Sequence, residues 1–571
     1  MPAEDLTARL TTLAASVAQS AAEAWQIARL TRDLPRLVRT PLTAAEAQAR
    51  IRHRLATREH LFLSSVDRAI FGYQRSPYRR LLRHAGCEAG DLRALVQHEG
   101  IEGALATLAA RGVYVTFDEL KGRREAVRGS GRFQFSPRDF DSPLVKPHYA
   151  TYTGGSRGVP VQVPRSLPYV EELASSRSAS LAAFGLEGQP HAFWLTNPMT
   201  TMLMTKSIGH ATILWVHPLR AFPLKGKVGA RYLDIMGRVT GSPFPRPRYL
   251  DAERVGDLVR WVARQLREHG PLVIDTVPSS ALRLAVAAQG AGIRLEGVTF
   301  CLQSEPLTRA RHDHIVAAGA RRIVQYTSIE MSGLASSCAA SAEADDLHLF
   351  TDRYAVIERE RPLVNGAPVA GSLVADGTAT NGLTVQALLV TTLTPTVATV
   401  SFNTEPGDYA RMEQRQCGCL LGALGLTTHV SEVRSFEKLS AEGVSFVRSN
   451  LLQILEEVLP AAFGGSSMDY QLVEEEEEAP ASNTRLVLRV HPSVGALDHE
   501  QVKQTLLRAL AGGGLVDANH AELLRLAGSV TISRQPPLAT PAGKVLPLQL
   551  LRRTEAPVPA PHPLPPHPLA T

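Results

Sequence analysis

Arg322-Ile323-Val324-Gln325-Tyr326-Thr327-Ser328-Ile329-Glu330 is the stretch on which the fold reading turns. Arg322–Val324 reads as an apolar strand, and the residues after it form a polar segment with a tyrosine, two hydroxyls and a carboxylate. On its N-terminal side, strand-like runs at Ala192–Leu195, Ala211–Val216, Pro271–Ile274 and Gly297–Leu302 are separated by helical patterns. These patterns are Leu167–Phe184, Ala252–His269, Ser279–Gln289 and Thr308–Ala318. Strands alternating with helices over residues 146–435 predict βαβ units and a mainly parallel sheet covered by helices. From 345 to 403 the pattern changes. Leu347–Phe350, Arg353–Ile357, Leu383–Thr392 and Ala398–Phe402 are short β-like runs between Gly, Asn and Pro turns, which predicts a small antiparallel barrel or sheet.

The flanks are simpler. Residues 1–60 are rich in Ala, Leu and Arg and read as a helical extension packed on the main body, with no chemistry of its own. After Arg434, strands are expected at Tyr470–Val473, Arg485–Val490 and Val530–Arg534. Helices are expected at His499–Ala511 and Ala518–Ala527, so this part is a compact α+β unit. Glu474–Glu478 reads as a solvated acidic loop, because adjacent carboxylates repel one another. Residues 555–571 are rich in Pro and read as a disordered tail.

The 571 residues are 44% hydrophobic and 20% charged, enough for a large core. The formal charge is +6, but Lys and Arg are scattered among Asp and Glu. That argues against a nucleic-acid footprint. No apolar run is long enough to span a membrane, and Met1-Pro2-Ala3-Glu4-Asp5 lacks the layout of a secretory signal, so a cytoplasmic location is expected. Five cysteines are too few for a disulfide framework in so long a chain.

Several further motifs stand in a fixed order around the central stretch. Thr153-Gly154-Gly155-Ser156-Arg157-Gly158-Val159-Pro160 is a loop of small and hydroxylated residues, whose backbone N–H groups can approach phosphate oxygens closely. Taken alone it could be an ordinary hairpin turn. Gln303-Ser304-Glu305-Pro306 comes next, then Tyr326–Glu330, Gly407-Asp408, Arg434 and finally Gly543-Lys544. In this order the set resembles the acid-activating adenylate-forming enzymes, most closely their phenylacetate–CoA ligase branch. Ser76-Pro77-Tyr78-Arg79-Arg80 is similar to a short stretch that opens that branch.

The resemblance implies a fold and a set of roles. The fold is α/β: a large N-terminal adenylation domain of layered sheets with a small β subdomain, and a smaller mobile α+β C-terminal lid. The implied divisions are 1–60, 61–435, 436–554 and 555–571. Thr153, Gly154, Gly155, Ser156 and Gly158 would cradle phosphate. Ser304, Glu305 and Pro306 would lie near adenine, and Tyr326 and Thr327 beside it. Glu330 would hold Mg²⁺ through a hard oxygen ligand. Asp408 would accept both ribose hydroxyls, and Arg434 would touch ribose or phosphate at the hinge. Lys544, carried by the lid, would stabilise charge that builds during nucleotidyl transfer. The chain departs from the pattern at Arg157, Val159, Thr327 and Phe436. Glu437 stands beside the position of the missing hinge acid. His210, Trp215 and His217 fall where the family's acid pocket forms, though packing roles serve them equally well.

A second constellation is Cys338, His348 and the Cys417-Gly418-Cys419 turn. Three soft thiolates and an imidazole suit a closed tetrahedral zinc site, and the resembling branch carries a similar set in this order. The alternative is three buried thiols that happen to lie close together. The expected activity is ATP-dependent activation of a carboxylic acid, aromatic or arylacetic by the resemblance, followed by transfer to the thiol of CoA. ATP, Mg²⁺, CoA and structural Zn²⁺ are the implied cofactors, and neither nucleic acid nor membrane is an implied partner. Transfer to a carrier-protein thiol or an amine, or a non-catalytic nucleotide-binding role, are the alternatives.

Overall fold

The structure is a computed structural model. It describes residues 23–152, 162–218, 224–250, 254–328, 330–341, 343–364, 367–368, 384–435, 440–441, 444–445, 451–476, 484–512, 521, 530–539 and 545–551.

Two hairpins precede the main sheet. They are β1 (Ala126–Arg128) with β2 (Gly131–Phe133), and β3 (Tyr149–Tyr152) with β4 (Gln162–Arg165). The main sheet has 13 strands. Six are parallel: β5 (His191–Trp194), β6 (Thr212–His217), β7 (Pro247–Tyr249), β8 (Leu272–Thr276), β9 (Val298–Gln303) and β10 (Arg321–Tyr326). They lie in the spatial order β10-β9-β8-β5-β6-β7. Helices at Leu167–Ala182, Val255–His269, Pro278–Gly290 and Arg309–Ala317 stand close to where periodicity put them.

Burial explains why these strands read as near-continuous apolar runs. Ala192, Trp194, Ile274, Phe300, Leu302 and Val324 pack against the helices at 255–269, 278–290 and 309–317. Their alternating neighbours Phe193, Val273, Cys301 and Ile323 pack on the opposite face, with residues of the helix Leu167–Ala182 and of the N-terminal segment. Both faces of the parallel part are covered, so neither can be polar.

The antiparallel region expected over 345–403 forms and continues the same sheet edge to edge. β11 (Ala335–Ser336) pairs with β10, followed by β12 (Leu347–Leu349), with β13 (Tyr354–Val364), β14 (Ala367–Pro368), β15 (Thr384–Thr392), β16 (Asp408–Gln414) and β17 (Thr428–Ser435) completing the wing. The run Ala398–Phe402 is not a strand. It makes only isolated bridges nearby, at Thr399 and Thr404, and Asn403 beside it takes a left-handed φ of 48° that breaks extended pairing.

The helical N-terminal segment is integral to the body. Residues 23–39 and Ala44–Ala56 are helical. Leu30, Leu34, Leu37 and Val38 share a core with Phe193 and Trp215. The buried Arg54 pairs with Asp352 at 2.7 Å.

After the small hairpin β18 (Ser440–Ala441) with β19 (Val444–Ser445), a separate four-stranded sheet forms. Its order is β22-β21-β20-β23, from β20 (Tyr470–Glu476), β21 (Thr484–Val490), β22 (Val530–Ser533) and β23 (Leu548–Leu551). The helix His499–Ala511 forms as expected and shares the core of this sheet. Glu474, Glu475 and Glu476 belong to β20 rather than to a loop, in register with Leu486, Arg485 and Thr484. Ladder hydrogen bonds use the backbone, so a run of acidic side chains does not by itself end a strand. The expected helix Ala518–Ala527 falls outside the described residues save Ala521. Among the described residues, no helix is long and apolar enough to cross a membrane.

Candidate active site and metal centre

From β5 the chain runs outward through β6 and β7, then returns to add β8 on the other side. The two helices that follow β5 and β8 therefore lie on opposite faces, and a crevice opens at the C-terminal ends of these strands. A cavity of about 460 Å³ sits there. Its wall includes Leu195–Asn197 after β5, Val277 after β8, Gln303–Leu307 at the end of β9 and Tyr326–Ser328 at the end of β10.

Eight of the sequence-predicted residues line this one cavity: Ser304, Glu305, Pro306, Tyr326, Thr327, Glu330, Asp408 and Arg434. They come from segments far apart in the chain, and only the sheet brings them together. Tyr326 donates its hydroxyl to Asp408 Oδ2 at 2.9 Å, which ties the end of β10 to the start of β16. Arg434 donates to Asp345 Oδ2 at 2.9 Å. Thr327 stands where the resembling family has glycine, yet it does not take a positive φ. Its Oγ1 accepts from the Gly333 N–H at 3.1 Å, so the hydroxyl fixes the turn that follows. Ser304 does take a left-handed φ of 71°. The phosphate-loop candidates Thr153, Gly154, Gly155, Ser156 and Gly158, the hinge positions Phe436 and Glu437, and Lys544 lie outside the described residues.

The carboxylate of Glu305 is committed to structure. It accepts from the Ser279 N–H at 3.0 Å and the Ser279 hydroxyl at 2.8 Å, at the N-terminal end of the helix Pro278–Gly290. A carboxylate is favourable at that end of a helix. Arg311 pairs with it at 3.3 Å and with Glu456 of the C-terminal segment at 3.0 Å. The Ser304–Pro306 turn thus offers the cavity its backbone and its neighbours rather than a free acid.

Sequence reasoning missed three partners. Lys121 Nζ lies 2.5 Å from Glu330 Oε1, and both side chains are largely buried. Lys121 follows the short helix Phe117–Leu120, 209 residues from Glu330, and no motif spacing could have linked them. Asp345 and the Arg311–Glu456 pair have equally little local signature.

His210, Trp215 and His217 do not line the cavity; they pack elsewhere. His210 belongs to a buried chain. Arg177 donates to both oxygens of Asp275 at 2.8 Å, and Asp275 Oδ2 is 2.9 Å from His191 Nδ1. His191 Nε2 is 3.2 Å from His210 Nδ1, and His210 Nε2 accepts from the Gly188 N–H. Burial, then the neighbouring His191, hold His210 down to about 3, so it stays neutral. Trp215 donates its indole N–H to Leu195 O at 2.9 Å.

Cys338, His348, Cys417 and Cys419 converge, with one ligand atom from each lying within 4.8 Å of the others. Cys338 follows β11, His348 lies in β12, and the two remaining thiols sit on the turn after β16. Gly418 supplies the left-handed φ of 71° that aims both sulfurs inward. Cys338 and Cys417 sulfurs are 3.9 Å apart, and His348 Nε2 is 3.3 Å from Cys417 Sγ and 3.2 Å from Cys419 Sγ. A tetrahedral zinc with ordinary bond lengths would set these edges at about 3.8 Å between sulfurs and about 3.6 Å from sulfur to nitrogen. His348 Nδ1 is 2.6 Å from Leu426 O, which fixes the tautomer that leaves Nε2 as the ligand atom. The donor set fits the metal.

No protein-family model matches the chain, and no curated protein does. Among solved structures it is similar to a 2-hydroxyisobutyryl-CoA ligase in complex with 2-HIB-AMP and CoA. That match has 15% identity over 90% of this chain and 91% of that one, with a TM-score of 0.42. It is also similar to the o-succinylbenzoate coenzyme A synthetase of Bacillus subtilis in complex with ATP and magnesium ion, at 12% identity, 70% and 68% coverage and a TM-score of 0.40. An anthranilate CoA ligase in complex with anthranoyl-AMP matches at 12% identity, 71% and 66% coverage and a TM-score of 0.39. Likeness at this level carries no inference about activity.

Proposed function

We propose that this protein is an ATP-dependent acid–CoA ligase of the adenylate-forming kind, similar to the phenylacetate–CoA ligase branch. The observation that carries the reading is the convergence of Ser304–Pro306, Tyr326, Thr327, Glu330, Asp408 and Arg434 on one cavity at the strand ends. A carboxylate oxygen of the substrate attacks the α-phosphorus of ATP, the bond to the β-phosphate oxygen breaks, and pyrophosphate leaves. The thiol of CoA then attacks the acyl carbon, and AMP departs with the carboxylate oxygen. Tyr326 and the Ser304–Pro306 turn would flank adenine, and Asp408 would accept the ribose hydroxyls, two neighbouring donors that suit a carboxylate. Glu330 would be an oxygen ligand of Mg²⁺, which neutralises phosphate charge when bound. Thr153, Gly154, Gly155, Ser156 and Gly158 would hold phosphate, and Lys544 would act in the transition state.

In this reading residues 61–435 form the adenylation domain and 436–554 the lid, with 1–60 as an N-terminal extension and 555–571 as a tail. The cysteine–histidine cluster holds one structural zinc, closed by four protein ligands and so without a role in the chemistry. The acid is aromatic or arylacetic by the resemblance. Acid-dependent exchange of labelled pyrophosphate into ATP, run over a panel of acids, tests the first half-reaction. Adding CoA, then a phosphopantetheinylated carrier protein, separates the acceptors. Exchange with no acid in the panel would leave a nucleotide-binding homologue without catalysis.

A further inference from the structure

The phosphate-loop candidates fall in sequence between the two strands of the hairpin β3–β4, since Tyr152 ends β3 and Gln162 begins β4. Among the described residues this hairpin is a sheet of two strands, joined by no ladder to the 13-stranded sheet. A lone two-stranded hairpin is at best marginally stable in water and needs another element packed against it. Its place at the cavity, to which it contributes Thr151 and Arg165, therefore depends on side-chain contacts.

The N-terminal helix, residues 23–39, makes such contacts at the end of the hairpin opposite the loop. Arg29 donates from Nε and NH2 to Pro147 O at 2.9 and 2.7 Å. His148 Nδ1 accepts from the Leu167 N–H at 3.3 Å. The ring proton therefore sits on Nε2, which donates to Asp33 Oδ2 at 3.0 Å. The His148 N–H donates to Arg165 O at 2.7 Å, so His148 extends the base of the ladder. Leu30, Leu34 and Leu37 share a core with Tyr149. The Asp33 carboxylate also accepts from Arg32, but that side chain is 72% exposed, and such surface pairs are worth little.

Other bonds join the hairpin to the cavity wall. Tyr149 OH lies 3.0 Å from Thr200 Oγ1, and Thr200 lines the cavity. Arg165 donates to Ser332 Oγ at 3.1 Å, on the segment that follows Glu330. The hairpin is thus held between the N-terminal helix and the walls of the cavity. When a binding-competent position is only partly populated, apparent affinity falls by that fraction.

We propose that Arg29 and Asp33 are positioning residues for nucleotide binding: through Pro147 and His148 they hold the hairpin where its loop meets the phosphates of ATP. The N-terminal segment, which reads in sequence as a helical extension with no chemistry of its own, is then part of the framework of the nucleotide site. This rests on the reading of Thr153, Gly154, Gly155, Ser156 and Gly158 as phosphate ligands. It names residues far from them in sequence that set their affinity.

The test is the double variant Arg29→Met/Asp33→Ala, with Thr43→Ala as control. Thr43 caps the next helix of the same segment, Ala44–Ala56, and does not line the cavity, so its loss costs stability alone. Titration calorimetry with Mg²⁺ present reads ATP and AMP affinity, and mass spectrometry reads amide exchange over Tyr149–Tyr152 and Gln162–Arg165. The double variant should bind ATP about tenfold more weakly, within the range of two lost hydrogen bonds to charged groups. AMP, which lacks the β- and γ-phosphates, should lose less, and both strands should exchange faster. Asp33→Asn keeps an acceptor for His148, so it should bind ATP more tightly than Asp33→Ala. The Asp33 side chain is 33% exposed, so this single pair gives the comparison even if the double variant does not fold. Thr43→Ala should lower Tm and leave ATP affinity unchanged. Wild-type ATP affinity in the variants, an equal loss for AMP, or an equal loss in Thr43→Ala would overturn the inference and leave acid activation standing. A wild-type protein that binds no ATP would overturn both.

Discussion

Replacing Cys417 by Ser should empty the proposed zinc site and lower stability by an amount that mass action bounds. The substitution exchanges a soft thiolate for a hydroxyl that ligates zinc poorly, and leaves Cys338, His348 and Cys419 in place. The four residues join the ends of β11, β12 and β16. Around them Ile51, Phe350, Leu421, Leu424 and Leu426 are buried and packed together. That packing survives the substitution, so local melting rather than global collapse is expected. A site occupied at a hundred times its dissociation constant stabilises by about 2.7 kcal/mol, the order of the loss on emptying it. For a large chain each kcal/mol moves Tm by about 2–4 °C, so the variant should melt about 5–10 °C lower. Elemental analysis of protein purified without added metal, paired with a melting curve, gives both numbers. The wild type should carry about one zinc per chain and the variant far less. A variant that keeps its zinc, or a wild type with none and the same Tm as the variant, would refute the metal centre and leave three packed thiols.

Other predictions follow from the cavity and its supports. Glu330→Gln keeps the shape of the side chain but removes the proposed anionic ligand, so turnover should need more Mg²⁺ with the fold intact; an unchanged Mg²⁺ titration removes Glu330 from the site. Lys544→Ala should lose adenylate formation far more than ATP binding, because the proposed role uses its charge only in the transition state; a wild-type single-turnover rate refutes this. Arg311→Met strips the cation shared by two carboxylates that are 1% and 2% exposed. Breaking such a buried pair costs about 3–5 kcal/mol, and a Tm within a degree or so of wild type would contradict it. Asp141 is raised to about 6 from an ordinary 3.8, chiefly by burial. Its folded value lies above its unfolded one, so ionisation costs stability as pH rises through that window. Asp141→Asn should therefore raise Tm at about pH 8 relative to its effect at about pH 3, where both states are protonated, which paired melting curves check.

The parallel body was legible because burial on both faces writes apolar runs into the sequence. Trp194, Ile274, Phe300 and Val324 serve one face, Phe193, Val273, Cys301 and Ile323 the other, and none needs a polar neighbour. Tyr326, Glu330 and Asp408 were legible as cavity residues because each sits in a short motif that the resemblance singles out. Lys121 was not, because its meeting with Glu330 depends on how the Phe117–Leu120 segment folds across the cavity. The strand through Glu474–Glu476 was hidden for a different reason: side-chain charge suggested a loop, while the ladder depends on the backbone. Cys338, His348, Cys417 and Cys419 were singled out by ligand chemistry together with the resemblance, since few side chains bind zinc and the resembling branch carries a similar set in the same order.

The proposed function requires that a carboxylate oxygen attacks the α-phosphorus of ATP. The most direct measurement uses a substrate acid with both carboxylate oxygens labelled with oxygen-18, incubated with ATP, Mg²⁺ and CoA, and reads AMP by mass spectrometry. Each AMP should gain one labelled oxygen, and pyrophosphate none. Unlabelled AMP alongside thioester formation, or label appearing in inorganic phosphate with ADP as the nucleotide product, would contradict it.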